Sequence, residues 1–195
     1  MNNTVFKSEL FENKVFENIV YEEQTITNHE FYQCTFTDCN FAKSNLNSCR
    51  FEDCTFINCN FSLTTVEKVG FSDVKFKNCK LMGIDFSMCN KYMFSFQFEN
   101  CILDYCVFQG TTLKKTPFLH CSLKEVDFSN ADLTAAVFTE CDLTNTHFHY
   151  TTLEKADFRT AKNFSIDPEI NKLKKAKFAF LNLEGLLVKY QLEIE

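Results

Sequence analysis

The sequence predicts an all-β solenoid, a four-sided coil of about twenty residues per turn stacked into a filled tube. Three observations lead there. Large apolar residues recur every five positions over most of the chain. Small residues, most often cysteine, stand two positions before them. The 195 residues include 24 Phe and 11 Cys but no Trp, with only 4 Gly and 2 Pro, a composition unlike that of linkers or disordered chains.

The period excludes ordinary elements. On an α-helix five residues advance about 500°, so no apolar stripe forms. On a flat strand an odd period sends alternate members to opposite faces. A chain that turns a corner every five residues removes the conflict, because each side then points one central residue inward. Four sides make a coil, and residues 20 apart stack.

The elements follow in order. Phe11, Phe16, Tyr21 and Ile26 lead into Phe31, Phe36, Phe41, Leu46, Phe51, Phe56, Phe61, Val66, Phe71, Phe76, Leu81 and Phe86. Residues 1–20 are expected to cap the tube and 21–160 to form regular coils. A second run starts at Phe98 and alternates Phe with Leu through Leu103, Phe108, Leu113, Phe118, Leu123, Phe128, Leu133 and Phe138 to Phe158. One expected core column is therefore Phe36, Phe56, Phe76, Phe98, Phe118, Phe138 and Phe158. Cys101, Cys121 and Cys141 hold the small-residue slot beside it, where a free thiol serves as a small buried hydrophobe. Their Cβ atoms, about 4.8 Å apart, are too far for disulfides.

Phe86 and Phe98 are separated by two pentads plus two residues. With Met93 as the intervening central residue, the extra pair is expected near residues 90–92. Two readings stand: a corner bulge, or an exposed recognition bump with Lys91 and Tyr92 at its tip. After Phe158 the repeat blurs, with Asn163 in the next central slot. Residues 161–180 read as a distorted last coil and 181–195 as a helix and tail. Leu183, Leu186, Leu187 and Tyr190 have helical spacing, and Gln191–Glu195 alternates like a short strand. The helix would cap the open tube end or, with Leu192 and Ile194, form a dimer interface.

The chain carries no Gly-rich phosphate loop, no nucleophile elbow and no C-x-x-C, and a filled tube has no water-excluded cleft. No enzymatic activity, cofactor or metal site is expected. His147 and His149 flank inward Phe148 and read as surface residues. No apolar stretch approaches the ~18 residues of a membrane span, and Met1–Phe16 lacks the apolar core of a signal peptide. A cytoplasmic location with reduced thiols is the expectation.

Several units share one form: Cys39-Asn40-Phe41-Ala42-Lys43, Ala131-Asp132-Leu133-Thr134-Ala135, Cys141-Asp142-Leu143-Thr144-Asn145 and Ala156-Asp157-Phe158-Arg159-Thr160. This pattern resembles the pentapeptide-repeat family, over roughly Phe31–Thr160. The resemblance implies a right-handed quadrilateral β-helix. The layout of N-terminal cap, coils, small interruption and C-terminal helix resembles the Qnr-type branch. So does the tail Ser165-Ile166-Asp167-Pro168 with Lys174-Lys175-Ala176-Lys177-Phe178. That branch implies a DNA mimic that binds DNA gyrase or topoisomerase IV and protects them from quinolones, as a rod-shaped homodimer joined at the C-terminal ends.

The charge pattern qualifies that implication. The net charge is −6, which disfavours direct nucleic-acid binding. Residues 1–60 carry −5, 61–120 carry +2, 121–160 carry −4 and 161–195 carry +1. Asp104, Glu125 and Asp142 are the candidate partner-binding acids on one side, joined by Lys91 and Tyr92 at the break. The alternative function is a general protein-interaction scaffold with another partner, since fold does not fix function.

Overall fold

The structure, a computed structural model, describes residues 9–193. Ten strands pair in parallel: β1 (Leu10–Glu12), β2 (Val15–Glu17), β3 (Glu30–Tyr32), β4 (Thr35–Thr37), β5 (Arg50–Glu52), β6 (Thr55–Ile57), β7 (Gly70–Lys77), β8 (Phe94–Glu99), β9 (Pro117–Leu119) and β10 (Val137–Thr139). Partners stand twenty residues apart, as in Phe11↔Phe31, Phe36↔Phe56 and Phe118↔Phe138. The first side of the coil carries β1, β3, β5 and the start of β7. The start of β8 joins the first side, and the second side carries β2, β4, β6, the ends of β7 and β8, β9 and β10. Single bridges continue the ladder on the third side (Asn40↔Asn60, Ser122↔Asp142) and the fourth (Asn45↔Thr65, Asp127↔His147).

Because every coil repeats the same register, identical residues stack. Phe16 and Phe36 lie 4.8 Å apart, Phe36 and Phe56 4.7 Å, and Phe138 and Phe158 4.7 Å, each pair nearly parallel. Around one coil the rings meet edge to face, as Phe51 and Phe56 do at 5.5 Å and 69°. Parallel stacking along the axis and edge contacts across it are both favoured ring geometries. Phe36, Phe56, Phe76, Phe98, Phe118, Phe138 and Phe158 are all buried.

Most corners turn on the residue two after the central one, which adopts positive φ, from Asn13 (51°) to Lys155 (60°); after Phe86 a 3-10 turn, Phe86–Met88, replaces it. Asn and Asp tolerate this conformation best among side-chain-bearing residues. Among corner residues of positive φ, Gly83 and Gly110 are the glycines, so a chain of 4 Gly supports the coils. The residue before the central one locks the turn. Asp132 Oδ1 accepts a bond from the Thr134 amide at 3.0 Å, and Asn60 Oδ1 accepts one from Ser62 at 3.1 Å. These side chains imitate a backbone turn.

All 11 cysteines are buried and free. Their slot does more than admit a small side chain. Cys54 Sγ donates to the Phe31 carbonyl at 3.3 Å, Cys101 to Phe76 at 3.4 Å, and Cys141 to Phe118 at 3.3 Å. Thr64 and Thr151 donate similarly to Phe41 (2.8 Å) and Phe128 (2.9 Å). The slot therefore offers a donor to the inward carbonyl of the preceding coil. Cys121 donates instead to Leu119 at 3.3 Å. Burial raises the Cys49 thiol to about 11 and the Cys54 and Cys106 thiols to about 12, which keeps them protonated donors.

One sequence expectation is corrected here and a second is refined. At the break, Asn90 still donates to Val69 in the normal register, but Phe71 pairs with Phe94 and Val74 with Phe96. Three residues, Lys91, Tyr92 and Met93, are inserted, and one is then lost because β8 runs straight where the coil above turns at Asp73. Met93 is not the central residue; it packs its sulfur 3.1 Å from where a Cβ on Gly70 would stand. Phe96 enters a small-residue slot and is buried, edge-on to Phe86 at 5.6 Å.

The expected short C-terminal helix is present, in 3-10 rather than α geometry. Two 3-10 segments, Phe180–Leu186 and Val188–Tyr190, meet at Leu187. Asn182 leaves helical geometry (φ −123°), and Gln191 reverses to φ 51°, so residues 191–193 form no strand. The apolar stripe is too short to hold α geometry without packing, and tertiary docking tightens it to 3-10. In the last coil Phe164, not Asn163, is the buried residue. Phe178 closes the column on Phe158 at 5.3 Å.

Candidate partner-binding surface

The break presents a small rigid platform. Asn90 Oδ1 accepts from the Tyr92 amide at 3.0 Å, and the Met93 amide donates to the Asn90 carbonyl at 3.3 Å. Tyr92 is 98% exposed at the tip, with Lys91 exposed beside it. Beneath lies a cavity of about 30 Å³ lined by Phe86, Cys89, Lys91, Phe94 and Thr111, room for a single water.

Asp104, Glu125 and Asp142 lie together on the third side and its edge, but their carboxylates are engaged. Asp104 Oδ1 accepts from Ser122 Oγ at 2.6 Å and the Lys124 amide at 3.0 Å. Glu125 Oε1 accepts from Asn145 at 2.7 Å. Asp142 Oδ1 accepts from Thr144 Oγ1 (2.6 Å) and Asn163 (2.9 Å), and its Oδ2 lies 3.2 Å from Lys124 Nζ. Lys43–Glu23 (2.9 Å) and Lys162–Glu140 (2.7 Å) pair charges in the same manner. The third side is an alternating charge ladder rather than a bare negative strip.

Asp142 gives this ladder a pH signature. Partial burial works to raise its carboxyl, but the bonds from Thr144, Asn163 and Lys124 outweigh it and hold the group down at about 2. A depressed native value stabilises the fold above the unfolded value of about 3.9, and this contribution is lost as pH falls through about 2. Asp142→Asn should therefore flatten the fall in stability between about pH 4 and pH 2, read by acid unfolding under circular dichroism. Equal slopes for variant and parent would show the carboxylate to be inert.

The fourth side was not singled out by sequence. Its outward residues include Glu67, Asp85 and Asp127, and Asp167 follows in the last coil. Lys68 at its edge sits 3.3 Å from Glu67, and Lys189 sits 2.8 Å from Asp167. Summing charge by segment hid this, because a side samples every twentieth residue. Glu125 stands at the corner where this side meets the third. His147 and His149 face outward here with rings 5.9 Å apart. No group of three metal-ligating side chains occurs among the described residues.

At the C-terminal end, Gly185 is buried and its carbonyl accepts from the Ile166 amide at 2.9 Å. Lys189 bridges Asp167 (2.8 Å) and Glu169 (2.6 Å), and Tyr190 donates to Glu169 at 2.7 Å. Leu186 packs on the core and Leu187 is half-buried. Leu183, Tyr190 and Leu192 are exposed, but the most exposed apolar residues are Phe180 (87%) and Leu181 (91%). Ile194 lies outside the described residues.

A stacked parallel coil with a solid Phe core and Asx-locked corners defines a quadrilateral β-solenoid. The profile of the pentapeptide repeat region matches residues 25–97, 49–119 and 90–158, and the chain belongs to the pentapeptide-repeat family. No curated protein matches the sequence. Two trypsin-treated variants of QnrB1, a plasmid-mediated fluoroquinolone resistance protein, are similar in structure. The first has a TM-score of 0.68 at 16% identity over 100% of this chain and 95% of that one. The second has a TM-score of 0.61 at 14% identity, over 95% and 100%. HetL, from the cyanobacterium Nostoc sp. strain PCC 7120 and involved in heterocyst differentiation regulation, gives 0.53 at 12% identity over 86% and 84%. At these identities the likeness establishes a common fold, the right-handed quadrilateral β-helix. No helix among the described residues is long and apolar enough to cross a membrane.

Proposed function

We propose that this protein is a non-catalytic rod that binds a protein through its sides, and that its partner is a type II topoisomerase, DNA gyrase or topoisomerase IV, engaged in place of DNA. The observation that carries this reading is the fourth side, a flat, acid-bearing strip on a rigid rod about 40 Å long. Among its carboxylates, Asp85 and Asp127 have no ion-pair partner among the described residues, while Glu67 pairs with Lys68 and Asp167 with Lys189. Glu125 at the corner extends the strip. Fold-level likeness to a fluoroquinolone resistance protein supports the choice of partner. Exposed Phe180 and Leu181 support end-to-end pairing of two copies, which would double the rod.

The second reading, a scaffold for another protein, is favoured by the neutralised third side and by the HetL likeness. Gyrase supercoiling with and without a fluoroquinolone separates the two. Protection or inhibition at micromolar protein, weakened by Asp127→Lys, is the expected result. No effect in either arm would remove the topoisomerase reading and leave the scaffold.

A further inference from the structure

The first side of the rod is electrically polar along its length. In its N-terminal half the outward and corner residues are Glu12, Glu30, Glu52, Asp53 and Asp73 against Arg50, a net −4. In its C-terminal half they are Lys114, Lys115, Lys155, Lys172, Lys174 and Lys175 against Asp132 and Glu154, a net +4. All six lysines are exposed. Lys114 reaches Asp132 at 3.1 Å, whereas Lys115, Lys155, Lys172, Lys174 and Lys175 have no ion-pair partner among the described residues. The acidic half also holds a shallow groove of about 310 Å³, lined by Glu12, Glu30, Tyr32, Arg50 and Glu52. The break at Phe94 lies midway.

We propose that this side recognises the same side of a second copy, the two rods lying antiparallel about a two-fold axis at the level of Phe94. An isologous contact requires a self-complementary surface. Here each level of one half faces the mirror level of the other, and columns keep their identity. The Phe11 level faces that of the partner's Leu173, which sets Glu12 opposite the partner's Lys174. The Phe51 level faces that of the partner's Leu133, setting Arg50 opposite the partner's Asp132. The Phe71 level faces that of the partner's Leu113, setting corner residue Asp73 opposite the partner's Lys115. Tyr32 meets the partner's Glu154. Away from the axis no level sets like charges directly opposite, and each pairing occurs twice by symmetry; at the axis exposed Lys91 lies near its own copy. Tyr92, the most exposed large side chain, stands beside its own copy near the axis and supplies the apolar contact. The surface is separate from both the C-terminal end and the fourth side, and it leaves them free.

The test uses the full chain carrying Phe180→Glu and Leu181→Glu, so that contact between the ends does not contribute. The screening length falls from about 10 Å at 0.1 M salt to about 3 Å at 1 M. Sedimentation of the protein at about 50 μM should show a dimer at 0.1 M, with a dissociation constant at least about tenfold higher at 1 M. One variant reverses the basic half (Lys172→Glu, Lys174→Glu, Lys175→Glu), and another the acidic half (Glu12→Lys, Glu30→Lys). Each alone should be monomeric, and an equimolar mixture should dimerise again, because each then offers what the other lacks. Thermal melts of the separate variants check that these exposed substitutions leave the fold intact. A monomeric parent at 0.1 M, association indifferent to salt, or a mixture as monomeric as its parts would overturn the proposal.

Discussion

Replacing Phe56 by alanine should cost about 3–5 kcal/mol, the range for truncating a buried Phe. Phe56 has no exposed surface. It stacks on Phe36 at 4.7 Å and Phe76 at 5.0 Å, and meets Phe61 edge-on at 5.0 Å. Backbone bonds hold the coil spacing, so the column cannot close over the gap, and the lost contacts are not recovered by collapse. Urea titration of parent and variant reads the effect. A loss below about 1 kcal/mol would mean that neighbouring coils relax into the space. Because each coil contacts mainly its neighbours, the same substitution near the N-terminal end, at half-buried Phe16, should cost less.

Gly185→Val is expected to release the C-terminal segment from the tube. A Cβ at this position would stand 2.5 Å from the Phe164 carbonyl oxygen and closer still to the Phe164 ring. Neither neighbour can yield easily, since Phe164 is buried against Phe158 (5.8 Å) and Phe178 (5.4 Å). Overpacking of this kind costs about 1–3 kcal/mol. The cost falls on docking of residues 180–190 rather than on the coils, so limited proteolysis should cut near Glu184 or Lys189 in the variant well before the parent. Equal cleavage rates would show that the Lys189 clamp to Asp167 and Glu169 suffices. If the C-terminal end also joins two copies, the variant should lose that contact together with the docking.

Much of the solenoid is written in single residues. The Phe and Leu at every fifth position dictate corners, and the Asn or Asp before them supplies the turn bond, as at Asn60 and Asp132. The interruption was legible in principle. Phe94, Phe96 and Phe98 alternate with period two, the mark of a straight strand. The five-residue frame obscured it and put Met93 inside. The C-terminal stripe foretold a helix but not its 3-10 geometry. Leu183, Leu186, Leu187 and Tyr190 have helical spacing, but a short isolated helix is marginal. Gly185 docking against Phe164 and the Lys189 clamp decided the conformation instead.

The candidate surface was less legible than the fold. Asp104 and Asp142 were visible as acids, yet their carboxylates are spent on Ser122, Lys124, Thr144 and Asn163. The sequence by itself determined the coil, its core and its cysteine column, because those follow from a local period, whereas the thiols' bonds to the preceding coil emerged only from stacking. Only the tertiary structure decided which charges are free and which sides share them. Twenty residues separate neighbours on one side, so side-chain pairing across coils is set by stacking and not by adjacency along the chain.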